Sequence, residues 1–320
     1  MYFSTYWRHC LIFNIDLLQQ LNSWGNAGHY FSATQFQAMY RISLIILAFL
    51  THVAASAQKS PVYEIYALKY AILQNPTAVS VWASNAPEKD SLRIIFMFWL
   101  IKDNQGKNIL VDAGCSNDMQ EAIEFGLYKF TRPDSILMQT GLKATDITDI
   151  IITHPHWDHI DGINLFPKAH IWIQKEDYRY YVGEAWQKDG NHGGFAKRDV
   201  LQLTDRNVSG MVTLVNGDDQ EIFPGIRVYT GSRHTYNSQY VLVQSGSDKV
   251  IIASDNIWIY YNLNKLAPPP SYGTFDAKGY VAGMERMKTL ASKVDYIIPG
   301  HDAQVFTKFQ KISTDVIKIK

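Results

Sequence analysis

Ile151-Ile-Thr-His-Pro-His-Trp-Asp-His-Ile-Asp-Gly162 places His154, His156, Asp158 and His159 within six positions, at the end of an apolar run, Asp149–Thr153, that reads as a buried strand. Residues so rich in lone pairs need a common partner to sit together there, and a metal cation is the simplest one. Imidazole and carboxylate ligands suit zinc best among the divalent metals, and iron or manganese less well. The alternation His154-x-His156 puts two imidazoles on one side of an extended segment, while Asp158 and His159 point elsewhere as the chain turns. One segment can therefore serve two metals.

The spacing His-x-His-x-Asp-His is the signature of the metallo-β-lactamase superfamily, which the chain resembles along nearly all of its length after residue 60. Upstream, Asn108-Ile-Leu-Val-Asp-Ala-Gly114 is similar to the family's first motif, an apolar strand ending in Asp112 and Gly114. Downstream, Tyr229-Thr-Gly-Ser-Arg-His-Thr235 resembles the third-histidine motif and nominates His234. Val250-Ile-Ile-Ala-Ser-Asp255 and Tyr296-Ile-Ile-Pro-Gly-His301 are further apolar strands that end in ligand-type residues. Each element is common by chance, but their order is not, and strand ends hold ligands more tightly than loops do.

The resemblance implies an α+β fold, a four-layer αββα sandwich with the metals at one edge of two face-packed sheets. It implies two Zn2+ per chain, one held by His154, His156 and His234, the other by Asp158, His159 and His301, with Asp255 bridging. A hydroxide held between the metals would attack, and Asp158 would orient it or carry a proton to the leaving group. Within the superfamily the chain resembles the N-acyl homoserine lactonases, through Trp157 inside His-Trp-Asp-His, the acid Asp255 and the opening strand Tyr63–Tyr70. It departs from them at Trp258, where they often place a tyrosine that hydrogen-bonds the substrate carbonyl; Tyr260 or Tyr261 is expected to substitute.

The expected partner is therefore a small acyl lactone or ester, and the alternative is an exported hydrolase of organophosphate or aryl esters on the same scaffold. Class B β-lactamases lack the bridging acid. Glyoxalase II needs a basic glutathione site, a persulfide dioxygenase needs only one iron, and a degenerate binding protein would have lost ligands. Thirty Lys and Arg balance thirty Asp and Glu with no basic run, which weighs against nucleic acid as a partner. A homodimer is left open.

Met39-Tyr-Arg-Ile-Ser-Leu-Ile-Ile-Leu-Ala-Phe-Leu50 followed by Ala55-Ser-Ala57 reads as a cleavable signal peptide over residues 39–57, with Met39 as the initiator. Its apolar core is too short for the roughly 20 residues a membrane span needs, so export to the periplasm or medium is expected without stable membrane insertion. Residues 1–38, aromatic and nearly uncharged, then read as upstream translation or a disordered extension, and 58–320 as the hydrolase domain. With Cys10 in the suspect segment, Cys115 stands alone, a small buried residue with no disulfide partner and no ligand role.

Strands are expected over Val62–Leu73, Ile94–Val111 (a hairpin turning at Asp103–Gly106), Ala169–Gln174, Met211–Val215, Ile226–Tyr229, Tyr240–Gln244 and Val250–Ala253. Helical spacing covers Met119–Phe130, Lys175–Trp186 and Ala277–Ser292. Two aromatic segments broken by Gly or Pro suit a pocket wall: Tyr178–Trp186 with Gly190–Phe195, and Trp258–Tyr272. His192 in the first reads as a loop histidine rather than an eighth ligand.

Overall fold

Phe96, Phe98 and Leu100 point to one side of their strand while Ile95, Met97, Trp99 and Ile101 point to the other, and both sides are buried. A strand covered on both faces reads as an unbroken apolar run, which is why Ile94–Ile101 shows no polar alternation. The computed structural model describes residues 61–320, together with Gln37 and residues 40–43, which are helical. Ser60–Lys320 forms a unit of its own and is described by itself. Most of the segment 39–57 expected to direct export lies outside the described residues, as do Met39 and Cys10; no described helix is long and apolar enough to cross a membrane.

The strands in chain order are β1 (Glu64–Leu73), β2 (Thr77–Ala78), β3 (Ser91–Leu92), β4 (Ile95–Lys102), β5 (Asn108–Val111), β6 (Leu127–Tyr128), β7 (Asp149–Ile151) and β8 (His170–Gln174). They continue as β9 (Val212–Val215), β10 (Gln220–Phe223), β11 (Ile226–Tyr229), β12 (Tyr240–Ser245), β13 (Asp248–Ser254), β14 (Ile297–Pro299), β15 (Gln310–Lys311) and β16 (Val316–Lys318). Among the described residues they form a nine-stranded sheet in the order β15-β16-β1-β4-β5-β7-β8-β9 with β6 beside β1, a five-stranded sheet β10-β11-β12-β13-β14, and the short pair β2-β3. One core fills the space between the two large sheets, with Trp99, Val111 and Ile151 facing Val241, Ile252 and Ile298. The other lies between the first sheet and its covering helices, around Phe98, Leu110, Ile150 and Leu203. The result is the α+β, four-layer αββα sandwich.

Two sets of parallel strands matter for the site. β5, β7, β8 and β9 run parallel in the first sheet, and β13 and β14 in the second. Their carboxyl ends come to one edge, so the residues following β7, β13 and β14 meet there. The helix Ala277–Leu290, capped by the Asp276 carboxylate accepting from the Lys278 and Gly279 amides, packs Tyr280, Met284 and Met287 against the second sheet.

Three local expectations change. The helix expected over Met119–Phe130 spans only Gln120–Phe125, because Gly126 takes the left-handed conformation (φ +73°) that ends a helix, and the chain continues into β6. The helix begun at Lys175 ends at Val182 before Gly183. The helix Lys197–Val208 and the strands β15 and β16 fall where no element is expected.

Candidate metal centre

The site is assembled from backbone pinned at strand ends. After β7 the chain bends at Thr153, passes through His154 and Pro155, and starts a single helical turn, Trp157–Ile160, that carries Asp158 and His159. His234 follows β11, Asp255 follows β13, and His301 follows β14. Three non-glycine residues beside these points adopt the left-handed region, Asp112 (φ 62°), Arg233 (φ 52°) and Ser254 (φ 49°). Such backbone costs on the order of 1–3 kcal/mol per residue and persists where the surroundings hold it for a function. Gly300 lets β13 and β14 close up, since a Cβ there would overlap Asp255 Oδ1 and the backbone of Ser254.

All seven residues nominated from the sequence come together, as two groups sharing one carboxylate. His154 Nε2 and His234 Nε2 lie 3.1 and 3.0 Å from His156 Nδ1, and Asp255 Oδ2 faces them, 3.4 Å from His234 Nε2. In the second group Asp158 Oδ2 is 3.2 Å from His159 Nε2 and 3.6 Å from His301 Nε2. Asp255 Oδ1 faces these two, at 3.4 Å from His159 Nε2 and 3.0 Å from His301 Nε2. His154, His156, His234 and Asp255 form one set of ligand atoms close enough for a single ion, and Asp158, His159 and His301 another.

Hydrogen bonds behind the ligands fix which nitrogen is free. His234 Nδ1 meets the Gly273 carbonyl at 2.8 Å, His301 Nδ1 the Ile95 carbonyl at 2.9 Å, and His159 Nδ1 the Asp112 carboxylate at 2.8 Å. Each Nδ1 therefore carries the proton, and each Nε2 lone pair points inward. Asp112 is the hub: it also accepts from the Thr153 amide and hydroxyl and from the Ser254 hydroxyl, while Thr153 Oγ1 lies 2.9 Å from His154 Nδ1. Asp177 pins the loop carrying His234 by accepting from Thr235 Oγ1 at 2.7 Å and the Asn237 amide at 3.0 Å.

The residues fit a metal. His159 Nε2 and Asp255 Oδ1 are buried with no hydrogen-bond partner, an arrangement costing about 1–3 kcal/mol per group unless something occupies the space between them. Burial, reinforced by the neighbouring imidazoles, holds His154 well below the ordinary histidine range and His156 down to about 3; burial also lowers His234. These three are neutral donors. Burial alone would lower His159 and His301 too, but the Asp158 and Asp255 carboxylates outweigh it and raise both. Burial works to raise Asp158 and Asp255, and those two imidazoles win, holding both acids below the usual range. A cation at the second group thus competes with protons, as at any histidine and carboxylate site.

Above the ligands is a cavity of about 330 Å³ whose walls are chiefly Val81, Trp82, Phe96, Phe125, Trp157 and Trp258, with Gly193, Gly194 and Tyr272 at its edge. Larger or comparable hollows, of about 750 and 400 Å³, are lined by lysines and other surface groups and reach none of the seven residues. Of the two segments expected to build the wall, Gly193, Gly194, Trp258 and Tyr272 do so, whereas Tyr178–Val182 is a helix packed on the outer core and Trp186 stacks on His192. The His192 ring meets the Ala185 carbonyl and stacks on Trp186, away from both ligand groups. Tyr260, expected at the substrate, is not there: it starts a helix, its amide donates to Asp302 Oδ2, and its ring is buried in the inter-sheet core under Lys308. Trp258 donates its indole N–H to Asp255 Oδ2 at 2.8 Å. Cys115 is fully buried and outside both ligand groups.

The model of the family described as the metallo-beta-lactamase superfamily matches residues 97–301. The chain belongs to the metallo-β-lactamase superfamily. It is a hydrolase of that superfamily. An N-acyl homoserine lactonase from Bacillus sp is 25% identical over 221 residues, covering 64% of this chain and 80% of that one. The fold is that of an N-acyl homoserine lactone hydrolase with the product N-hexanoyl-L-homoserine bound at its catalytic metal center (TM-score 0.61, 21% identity, 78% of this chain and 97% of that one). It is also that of AidC, a dizinc quorum-quenching lactonase (TM-score 0.56, 18% identity, 77% of this chain and 89% of that one).

Proposed function

We propose that this protein is an exported two-metal hydrolase that opens the lactone ring of N-acyl homoserine lactones. The observation that carries the reading is Asp255, whose two oxygens face two separate ligand groups at the floor of an apolar pocket. In this reading His154, His156 and His234 hold one Zn2+, Asp158, His159 and His301 hold the other, and Asp255 is shared. The lactonase relatives, one of them dizinc, support both the metal and the substrate class.

A metal pair bound there supplies Lewis acidity and a water acidic enough to ionise near neutral pH. The chain's own residues do the rest. Trp82, Phe96, Phe125 and Trp157 take up the acyl chain and exclude water from the floor, where an apolar wall strengthens every polar contact. Asp158, at the pocket floor and held ionised by His159 and His301, takes the proton of the attacking water. As the oxygen of water bonds to the lactone carbonyl carbon, the ring C–O bond breaks, and Asp158 returns the proton to the departing ring oxygen. The product is the open-chain hydroxy acid. Export rests on the sequence over 39–57 alone.

The zinc-loaded protein should release acid from homoserine lactones of short and long acyl chain at neutral pH, and lose that activity with a chelator. A protein that binds two metals yet leaves every lactone intact sinks the substrate assignment, and aryl esters and phosphotriesters become the next substrates to assay.

A further inference from the structure

Trp258 stands in the pocket wall, yet its one polar atom is turned away from any substrate. Its Nε1–H donates to Asp255 Oδ2, the oxygen facing the three-histidine group, and Asp255 Oδ1 is left to face His159 and His301. The turn that brings indole and carboxylate together is clamped by one hydroxyl: Tyr280 Oη, fully buried, donates to the Asp255 carbonyl at 2.9 Å and accepts from the Trp258 amide at 3.2 Å. The Trp258 carbonyl accepts from the His301 amide at 2.8 Å. The far edge of the indole lies against Gly273, where any Cβ would overlap the ring, and the carbonyl of that glycine holds His234. Through one side-chain bond, one backbone bond and one packing contact, Trp258 reaches three of the seven ligand-type residues.

A carboxylate that must present one oxygen to each of two groups has to be fixed in its plane, and the carboxylate torsion is broad and soft by itself. We propose that Trp258 is the positioning residue of the shared carboxylate: its indole N–H sets the plane of Asp255 so that one oxygen is offered to each ligand group. The proposal rests on the reading of Asp255 as a metal ligand, and not on which substrate is opened. It also makes the contribution of Trp258 to substrate binding apolar, because its only donor is already used.

Trp82 provides a matched control. It packs edge-on to Trp258 in the same wall, with ring centroids 5.2 Å apart, and its ring lies 5.9 Å from that of His301, but its indole N–H goes to Thr77 Oγ1 rather than to a ligand-type residue. Zinc affinity is measured by chelator competition in the full-length protein, in Trp258→Phe and in Trp82→Phe, and the Co2+-loaded absorption spectrum of each is recorded. Removing a bond behind a metal ligand typically costs 10–100-fold in affinity, so Trp258→Phe should bind zinc about tenfold or more weakly with an altered Co2+ spectrum, and Trp82→Phe should stay within about threefold of wild type. Equal affinities and spectra in the two variants overturn the proposal. Should Trp258→Phe not fold, the unaltered protein still decides. Of its eight tryptophans, labelled with 15N at the indole, one should show an N–H slow to exchange whose resonance moves as zinc is added. No such resonance overturns the assignment. Neither measurement reads lactone turnover, so a failure of the substrate assignment is seen separately.

Discussion

The metal centre and the pocket above it share side chains but differ in construction. The seven ligand-type residues sit where strand ladders end, nearly all of them deeply buried, with Asp112 tying three of the supporting segments together. The wall comes largely from a short 3-10 turn, two helix ends and a proline-rich loop, with Phe96 of β4 and Trp258 beside Asp255 as its members held by the sheets, and at its rim Val81, Phe125 and Tyr272 are 44%, 50% and 68% exposed. Those wall segments are tied largely to each other: Tyr272 Oη donates to the Val81 carbonyl, and Ser84 bonds to the carbonyls of Pro268 and Pro269. The difference teaches that the ligand groups are fixed by the sheets, while the rim of the pocket is built from pieces that can change without disturbing them.

The sharpest break in that comparison is at the shared carboxylate. Asp255→Ala should lower turnover by about 10³-fold or more, the scale seen when a preorganised charge-stabilising group is lost. The variant should hold less than two equivalents of zinc by elemental analysis, and its circular dichroism should remain that of the wild type. A variant that keeps both zinc ions would show that Asp255 does not join the two groups. One step further out, Asp112→Ala removes the acceptor of Thr153, Ser254 and His159 together. It touches no substrate, yet it should weaken metal binding by about 10–100-fold and leave the KM of the fully loaded enzyme nearly unchanged. A raised KM with intact metal binding would contradict the division drawn here.

The wall should behave in the opposite way. Phe125→Ala removes a half-exposed ring, worth about 1 kcal/mol of apolar contact, so kcat/KM for the longest acyl chains should fall about fivefold. Zinc affinity and the rate on a short-chain lactone should not move. Loss of metal from this variant would mean that wall and centre are mechanically coupled at Phe125.

The same division explains what the sequence discloses. Coordination chemistry demands several donors within a few residues, so His154 to His159 is a local pattern, and the strand-end positions of His234, Asp255 and His301 follow from apolar runs that stop at a polar residue. The alternation of β4 between two cores is likewise legible as a run with no polar interruption. Trp82, Phe96 and Phe125 carry no such signature, because only the tertiary fold brings them to one cavity. Tyr260 is misplaced by sequence reasoning since a helix starts at it and Asp302, 42 residues on, captures its amide. β15 and β16 are two and three residues long, and β16 pairs with β1 from the far end of the chain, beyond the reach of any local pattern. The helix Lys197–Val208 buries only Asp199, Leu203 and Arg206, too few apolar positions to show a periodicity.

That helix also sharpens the comparison from outside both regions, because it buries a carboxyl that neither ligates nor lines the pocket. Asp199 is fully buried, and neither oxygen has a hydrogen-bond partner. Burial, then the adjacent Asp161 carboxylate, pushes it up to about 9, with Arg198, 3.9 Å away, only partly opposing. In the unfolded chain the same group titrates near 4, so between about pH 4 and pH 9 the folded protein holds one proton more than the unfolded one. Stability is therefore fully present below pH 4 and falls as pH rises toward 9, by at most about 1.4 kcal/mol per pH unit. Asp199→Asn keeps the shape but cannot ionise. Relative to the wild type, its stability in urea unfolding should be lowest below about pH 4 and should gain on the wild type steadily from about pH 5 to pH 8, by a few kcal/mol in all. A difference between the two proteins that does not vary with pH would mean that Asp199 is ionised in the fold and paired with Arg198, and that this buried acid is a plain ion pair rather than a neutral carboxyl.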